Sequence, residues 1–472
     1  MEWETVIGLE MHVQLATRSK MFCACATTYG QAPNSNVCPV CLGLPGALPV
    51  ANAEAIRLGT LGAIALGCTI HLVSIFARKN YFYPDLPKGY QISQFDKPLA
   101  TDGHLEFESP DRGPTSVSIT RLHLEEDAGK SLHDRIPGQT AIDLNRAGTP
   151  LAEIVSGPDL RSPAEARAYL VALRQVLLYA GVSECSMEKG SLRVDANLSV
   201  RRPGDPLGTK TEVKNMNSFA NVERALESER ARQMALLDGG GRVTQVTLTF
   251  NAATGDVRPL RSKEDAHDYR YFPDPDLPPL VLDPAWITAQ TDALPELPQA
   301  RRARYESALG LNAHDASVLI QEPEVARYYE DVVTAGADPK VAANWVMGEV
   351  LAAWNSSGTF AVMPERLSDL TALVSAGTVS LQAARRIYGE MCTADDTPRA
   401  VADRLGLVQV RDESALTTWI DEALAANPDE VARWRGGEAK LVGFFVGQVM
   451  KRSGGKADPK GIQPLLMQRL GS

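Results

Sequence analysis

The stretch W-E-T-V-I-G-L-E-M-H-V-Q-L, residues 3–15, sets Ile7, Leu9, Met11 and Val13 in alternation with Gly8, Glu10, His12 and Gln14. A period of two is the pattern of a strand with one face buried and the other polar. Here the polar face carries a carboxylate and an imidazole two residues apart. The same alternation recurs over residues 117–127, 191–200, 209–215 and 242–250, while helical spacing occupies 51–66, 162–180 and 219–237. Ser162, followed by Pro163 and by Glu165 three residues on, reads as a capping box opening the second of these helices. Strands mixed with helices, without strict βαβ alternation, predict an α+β domain around an antiparallel sheet.

Working outward, D-P-D-L-P-P-L-V-L-D-P at 274–284 reads as an extended connector. From about residue 295 the chain turns to Ala, Leu, Arg and Glu at helical spacing, and the pattern stays helical to the end. The organisation expected is a domain over 1–293, a helical domain over 294–405 and a small all-α tail over 406–472. No repeat of fixed period is present. Arg433, Arg435, Lys440, Lys451, Arg452, Lys456, Lys460 and Arg469 face only Glu438 and Asp458 between 431 and 472, an excess of six positive charges on a chain that totals −10. The acidic total excludes a uniformly basic nucleic-acid binder, whereas a local basic patch is enough to hold phosphates.

At 472 residues the chain exceeds what one core usually organises, and 44% hydrophobic with 22% charged residues is ordinary for a globular protein. No apolar run approaches the ~18 residues needed to span a bilayer. The acidic start, Met1-Glu2-Trp3-Glu4, lacks the features of a signal peptide. The expectation is a cytoplasmic protein with no membrane partner.

Three constellations carry chemistry. Cys23-Ala-Cys25 and Cys38-Pro-Val-Cys41 form two close pairs, a spacing that lets four thiolates converge on Zn²⁺; four packed free thiols are the alternative. No general base lies close in sequence, so the zinc would be structural. Second, Arg121, His123, Glu125 and Asp127 share one strand face opposite Leu122 and Leu124, Glu153 sits among apolar neighbours in T-P-L-A-E-I-V-S, and Asp195 and Asn197 recur in L-R-V-D-A-N-L-S-V. Such carboxylates must either be paired, with Arg121, Arg146 and Arg193 as candidates, or hold a cation such as Mg²⁺ or Mn²⁺. Third, basic and aromatic residues alternate from Phe76 to Gln91 and again over 268–273. They offer stacking faces and phosphate contacts for unstacked bases, or else a rigid loop with its rings turned inward. No P-loop, G-x-G-x-x-G or G-x-S-x-G pattern occurs, and Gly204 to Thr211 resembles a P-loop only superficially.

The blocks I-G-L-E-M-H-V-Q-L, P-N-S-N-V-C-P-V-C-L-G-L-P-G, R-K-N-Y-F-Y-P-D-L-P-K-G-Y-Q-I-S-Q, R-L-H-L-E-E-D-A-G-K, D-L-N-R-A-G-T-P-L-A-E-I-V-S, G-S-L-R-V-D-A-N-L-S-V, T-E-V-K-N-M-N-S-F and D-Y-R-Y-F-P-D-P-D-L-P-P together resemble the B-subunit family of bacterial aspartyl/glutamyl-tRNA amidotransferases. The resemblance runs essentially end to end. It implies a cradle-shaped catalytic domain related to glutamine synthetase-like folds, then a helical domain and a tRNA-gripping tail. It implies an ATP-dependent carbon–nitrogen ligase in which the side-chain carboxylate of Glu-tRNA(Gln) or Asp-tRNA(Asn) is phosphorylated and ammonia displaces the phosphate. It also implies a glutamine-hydrolysing amidase (A) subunit and a small (C) subunit as partners in a heterotrimer. The cognate tRNA and a non-discriminating aminoacyl-tRNA synthetase complete the set.

Carried over by position, Glu10, His12, Glu125 and Glu153 are the expected Mg²⁺ ligands, with Glu10, His12 and Glu125 catalytic. Glu125 is preferred to Glu126 because alternation puts it on the polar face with His123. Cys23, Cys25, Cys38 and Cys41 are the expected zinc ligands, and Lys451, Arg452 and Lys456 the expected tRNA contacts. A ligase acting on a free small molecule and a non-catalytic zinc-stabilised tRNA binder are the rival readings. The first leaves the basic tail idle and the second the acidic strands.

Overall fold

A computed structural model describes residues 3–260, 269–409 and 412–471. Met1, Glu2 and Asp268, each read above as part of a motif, lie outside the described residues. The chain divides into two compact units, Met1–Pro298 and Gln299–Ser472.

In the first unit, among the described residues, nine strands make one sheet: β1 (Glu4–Gln14), β2 (Thr69–Ile70), β3 (Ala100–Ser109), β4 (Gly113–Glu126), β5 (Pro150–Ser156), β6 (Leu192–Arg201), β7 (Thr211–Lys214), β8 (Thr247–Asn251) and β9 (Asp256–Pro259). Their order is β9-β8-β7-β6-β1-β5-β4-β3-β2. Every pairing is antiparallel except β7 with β8. The first strand met in the sequence is therefore the centre of the sheet. Ile7, Leu9, Met11 and Val13 of β1 are buried in one core with Val194 of β6 and Leu122 and Leu124 of β4. Each such side chain contributes roughly 1.5–3 kcal/mol by leaving water.

Three helices supply the other half of this core: α1 (Ala53–Ala65), α2 (Pro163–Tyr179) and α3 (Phe219–Asp238), which bury Ile56, Leu173 and Leu226 among others. At the start of α2 the Ser162 hydroxyl accepts from the Glu165 N–H, as a capping box requires. The Glu165 carboxylate, however, accepts from the Arg161 N–H and from Ser109 and Arg112. Residue 165 ties the helix to β3 and the following turn rather than closing the box.

The expected connector at 274–284 is not free. Phe272–Pro273 pairs with Phe76–Asn80, and Leu280–Val281 pairs with Val73–Ser74. Asp274, buried, takes Arg78 Nε at 2.8 Å. Prolines shape this segment, but an ion pair and backbone pairing pin it to the first unit.

The second unit is helical among the described residues. The expected helical character beyond residue 295 is met, so the chain has a mixed α/β part with a large antiparallel-rich sheet followed by a helical region. Toward its end, Leu416, Ile420, Phe445, Val449, Ile462 and Leu466 form a separate apolar cluster. Among the described residues no helix is long and apolar enough to cross a membrane.

Candidate active site

Register decides what meets on the polar face of the sheet. In an antiparallel pair, directly opposed residues point to the same side. Arg193 on β6, His12 on β1, Glu153 on β5 and His123 on β4 are opposed in turn and make one row across four strands. Glu125, two residues beyond His123, joins the row from the side. His12 Nε2 lies 3.5 Å from Glu153 Oε2 and 3.7 Å from Glu125 Oε1, while His123 Nε2 lies 3.3 Å and 3.7 Å from the same two carboxylates. Ser93 Oγ donates to Glu125 at 3.1 Å.

Glu125, Glu153 and His123 are buried. Burial alone would push both carboxyls up, yet the histidines hold them below the usual carboxylate range. Burial opposes charge on His123, but Glu125 and Glu153 outweigh it and raise the imidazole to about 9. His12 is raised for the same reasons, with Glu153 the leading partner. Protonated, the two histidines offset the charge of the buried carboxylates; neutral, His12 offers a ligand atom that lies, with one each from Glu125 and Glu153, within 4.8 Å of the others. That clustering of hard oxygens and one imidazole fits a divalent cation. His123 Nδ1 is buried without a hydrogen-bond partner.

Glu10 belongs to the next row. It opposes Asp195, and its carboxylate accepts from Asn197 Nδ2 at 3.1 Å. Burial, with Glu153, Glu212 and Asp195 nearby, lifts its carboxyl above the ordinary range. Lys214 bridges Asp195 and Glu212 at 2.7 and 2.9 Å. Asp127 is paired with Arg193 at 2.8 Å and Arg146 at 3.5 Å. Glu126 turns away from His12 to Lys88 and the Ile92 N–H. The expected arginine pairing is met at Asp127, by Arg193 and Arg146, and at 3.9 Å between Arg121 and Glu153, while histidines face Glu125 and Glu153.

The basic–aromatic stretch is divided in the same way. Phe76 is buried, Arg78 is paired to Asp274 and stacks over Tyr90, and Phe82 is 89% exposed. Tyr81 and Tyr269 lie edge to face at 6.0 Å, Tyr269 and Tyr271 at 6.1 Å, and Phe95 stacks flat on Tyr271 at 4.1 Å. Lys79 Nζ sits 4.9 Å over the Tyr269 ring. Burial works against its charge, and Glu125, Tyr271 and Glu153 hold it above the ordinary lysine range. Lys214 escapes the reading of the sequence, whereas Arg193 is an expected partner for the carboxylates, as its pair with Asp127 shows, and Lys79 an expected phosphate contact of the basic–aromatic stretch. Alternation places Arg193 on the face of Asp195, but no spacing links Lys79 to a carboxylate 46 residues away.

The four cysteines converge. All are free, and one sulfur from each lies within 4.8 Å of the others. Cys38 and Cys41 Sγ are 3.9 Å apart, against about 3.8 Å between corners of a tetrahedron with ~2.3 Å Zn–S bonds. Hydrogen bonding from Cys23 first, and then the Cys38 N–H and the Lys20 ammonium, hold the Cys41 thiol far below its usual range, while Cys23 and Cys25 are raised. This donor set suits zinc. In the tail, Lys451 and Arg452 end the helix Leu441–Arg452, and Lys456 follows two glycines with positive φ, Gly454 and Gly455. Lys451 and Lys456 are exposed, and Arg452 donates to Gln448.

Fold and site define a mixed α/β protein whose central sheet presents a histidine–carboxylate cluster and whose first long loop gathers four cysteines. The profile of the GatB/GatE catalytic domain matches residues 5–288, and that of the GatB domain matches residues 327–470. The B subunit of the aspartyl/glutamyl-tRNA(Asn/Gln) amidotransferase of Geobacter sulfurreducens is 51% identical, and that of Moorella thermoacetica is also 51% identical, each over the whole of both chains. The corresponding B subunit of Alkalilimnicola ehrlichii is 50% identical over the same extent. The chain belongs to this B-subunit family.

Proposed function

We propose that this chain is the carboxylate-activating, tRNA-binding subunit of a cytoplasmic tRNA-dependent amidotransferase, converting Glu-tRNA(Gln), Asp-tRNA(Asn) or both to the amides. The observation that carries the reading is the match to amidotransferase B subunits along the full length of both chains. The cluster of half-buried His12 with buried Glu125 and Glu153 would supply the chemistry.

A carboxylate resists attack by ammonia because oxide is a very poor leaving group. Transfer of the terminal phosphoryl group of ATP to one carboxylate oxygen gives an acyl phosphate and ADP. Ammonia then attacks the carbonyl carbon, the C–O bond to phosphate breaks, inorganic phosphate leaves with the electron pair, and one proton passes from the nitrogen to the departing phosphate to leave the amide. His12, Glu125 and Glu153 would hold Mg²⁺, with Glu10 alongside. A divalent cation held there would supply neutralising charge to phosphate oxygens. His123 holds both buried carboxylates in place, and Ser93 fixes Glu125. Lys79, over the Tyr269 ring and within electrostatic reach of Glu125 and Glu153, would offer positive charge to a phosphoryl group or the substrate carboxylate. The exposed rings of Phe82 and Phe95 suit the unstacked bases of an acceptor end.

In this reading the sheet unit is a glutamine synthetase-like cradle over 1–293, followed by a helical domain over 294–405 and a tail over 406–472 in which Lys451, Arg452 and Lys456 hold tRNA. Zn²⁺ on the four cysteines is structural. An amidase subunit supplies ammonia and a small subunit completes a heterotrimer, with a non-discriminating synthetase as a further partner. The test is ATP turnover by the reconstituted complex. ADP release that requires Glu-tRNA(Gln) or Asp-tRNA(Asn) supports the reading, whereas equal turnover on free glutamate, or none on charged tRNA, overturns it.

A further inference from the structure

Lys20 is wholly buried, among the largest side chains with no exposure in the molecule. A buried ammonium is costly unless its three N–H donors and its charge are matched. Its Nζ donates to Asn36 O at 2.7 Å and Leu144 O at 3.4 Å and lies 3.7 Å from Cys41 Sγ. Two carbonyls satisfy donors but bring no full negative charge, so the anionic partner is the Cys41 sulfur. The main chain is woven into the same place: Lys20 N donates to Cys25 O at 2.9 Å, and Met21 N donates to Gly148 O at 2.7 Å.

Four thiolates around Zn²⁺ carry a net charge of about −2. We propose that Lys20 is the buried counter-ion and outer hydrogen-bond donor of the four-cysteine site, and that through Leu144 it latches the cysteine loop to the turn leading into β5. This rests on reading the four cysteines as a metal site. The turn is well placed for such a role. A Cβ on Gly148 would meet Lys20 Cδ at 3.4 Å, Cys41 Cβ at 3.6 Å and Glu126 Oε2 at 3.8 Å, so the backbone there is packed between the cysteine loop and the end of β4. Arg146 of the same turn reaches Asp127, and Glu153 lies on the strand that follows. Loss of the metal would leave Lys20 without a stable anion and loosen residues 144–149.

The test uses the full chain loaded with Co²⁺ or Zn²⁺. Wild type should show thiolate-to-cobalt charge transfer of a four-sulfur tetrahedral site. Lys20→Met should keep that spectrum while losing roughly 10- to 100-fold in zinc affinity against a chromophoric chelator. Amine-directed labelling of wild type, read by mass spectrometry, should find Lys20 protected with zinc and modified once zinc is removed, which decides the matter even if the variant does not fold. Wild-type zinc affinity in Lys20→Met, or equal labelling with and without zinc, overturns the role of Lys20. A wild type that shows no four-sulfur spectrum overturns the metal reading itself.

Discussion

Glu153 and His12 stand directly opposite each other on neighbouring antiparallel strands at the centre of the sheet, Oε2 to Nε2, 3.5 Å apart. On its other side Glu153 faces His123 at 3.3 Å, so one buried carboxylate lies between two imidazoles. Replacing it by the isosteric amide removes the negative charge and keeps the shape. Glu153→Gln should weaken binding of Mn²⁺, followed by the paramagnetic signal of the free ion, by about tenfold or more, leaving the four-cysteine site unchanged. A variant that binds Mn²⁺ like wild type would place the cation elsewhere.

Glu165 shows how acid should act on the fold. Its buried carboxylate is opposed by burial, but Arg112, the Arg161 N–H and Ser109 together hold it below the usual carboxylate range. A depressed folded value adds stability that is complete above the unfolded carboxyl value and fades as pH falls through the folded one. Glu165→Gln should therefore cost about 2–3 kcal/mol at neutral pH. In urea unfolding the gap to wild type should narrow below about pH 4.5. A gap that does not change with pH would mean that packing, not charge, is lost.

Arg78 and Asp274 are 196 residues apart in sequence and 2.8 Å apart in space. Removing one member leaves the other charge unpaired, which typically costs 3–5 kcal/mol for a fully buried pair. Arg78 keeps Asp276 as a second partner, so Asp274→Ala should cost about 2–3 kcal/mol. Proteolysis should then cut first within 272–284. A loss below about 0.5 kcal/mol would mark the pair as no more than a surface contact.

Lys451 and Lys456 are exposed and lie on either side of two glycines with positive φ. If they contact phosphates, Lys451→Ala and Lys456→Ala should each weaken tRNA binding uniformly and reduce the slope of log affinity against log salt by about one. Turnover at saturating tRNA should not change. An unchanged slope would leave them as solvated charges near the end of a helix, where the dipole favours them anyway.

The centre of the fold was legible because its signal is local. Alternation in residues 3–15 is enough to put Glu10 and His12 on a polar face, and the same alternation separates Glu125, which faces His12, from Glu126, which turns to Lys88. What alternation cannot supply is register. One strand step puts Glu10 beside Asp195 and Asn197 instead of among the closely gathered ligand atoms of His12, Glu125 and Glu153. Contacts between distant segments were hidden for the same reason. Asp274 reads as part of a proline-rich connector until Arg78 is brought to it, and no spacing in the sequence links Lys20 to Leu144.

Amidation of radiolabelled Glu-tRNA(Gln) puts the histidine–carboxylate cluster to the test. The reconstituted complex is given ATP, Mg²⁺ and ammonium, and wild type is compared with His12→Ala and Glu125→Ala. Wild type should form Gln-tRNA(Gln), and both variants should lose about 100-fold or more in rate while binding tRNA as before. Variants that amidate at the wild-type rate would make the histidine–carboxylate cluster structural and overturn its role in carboxylate activation.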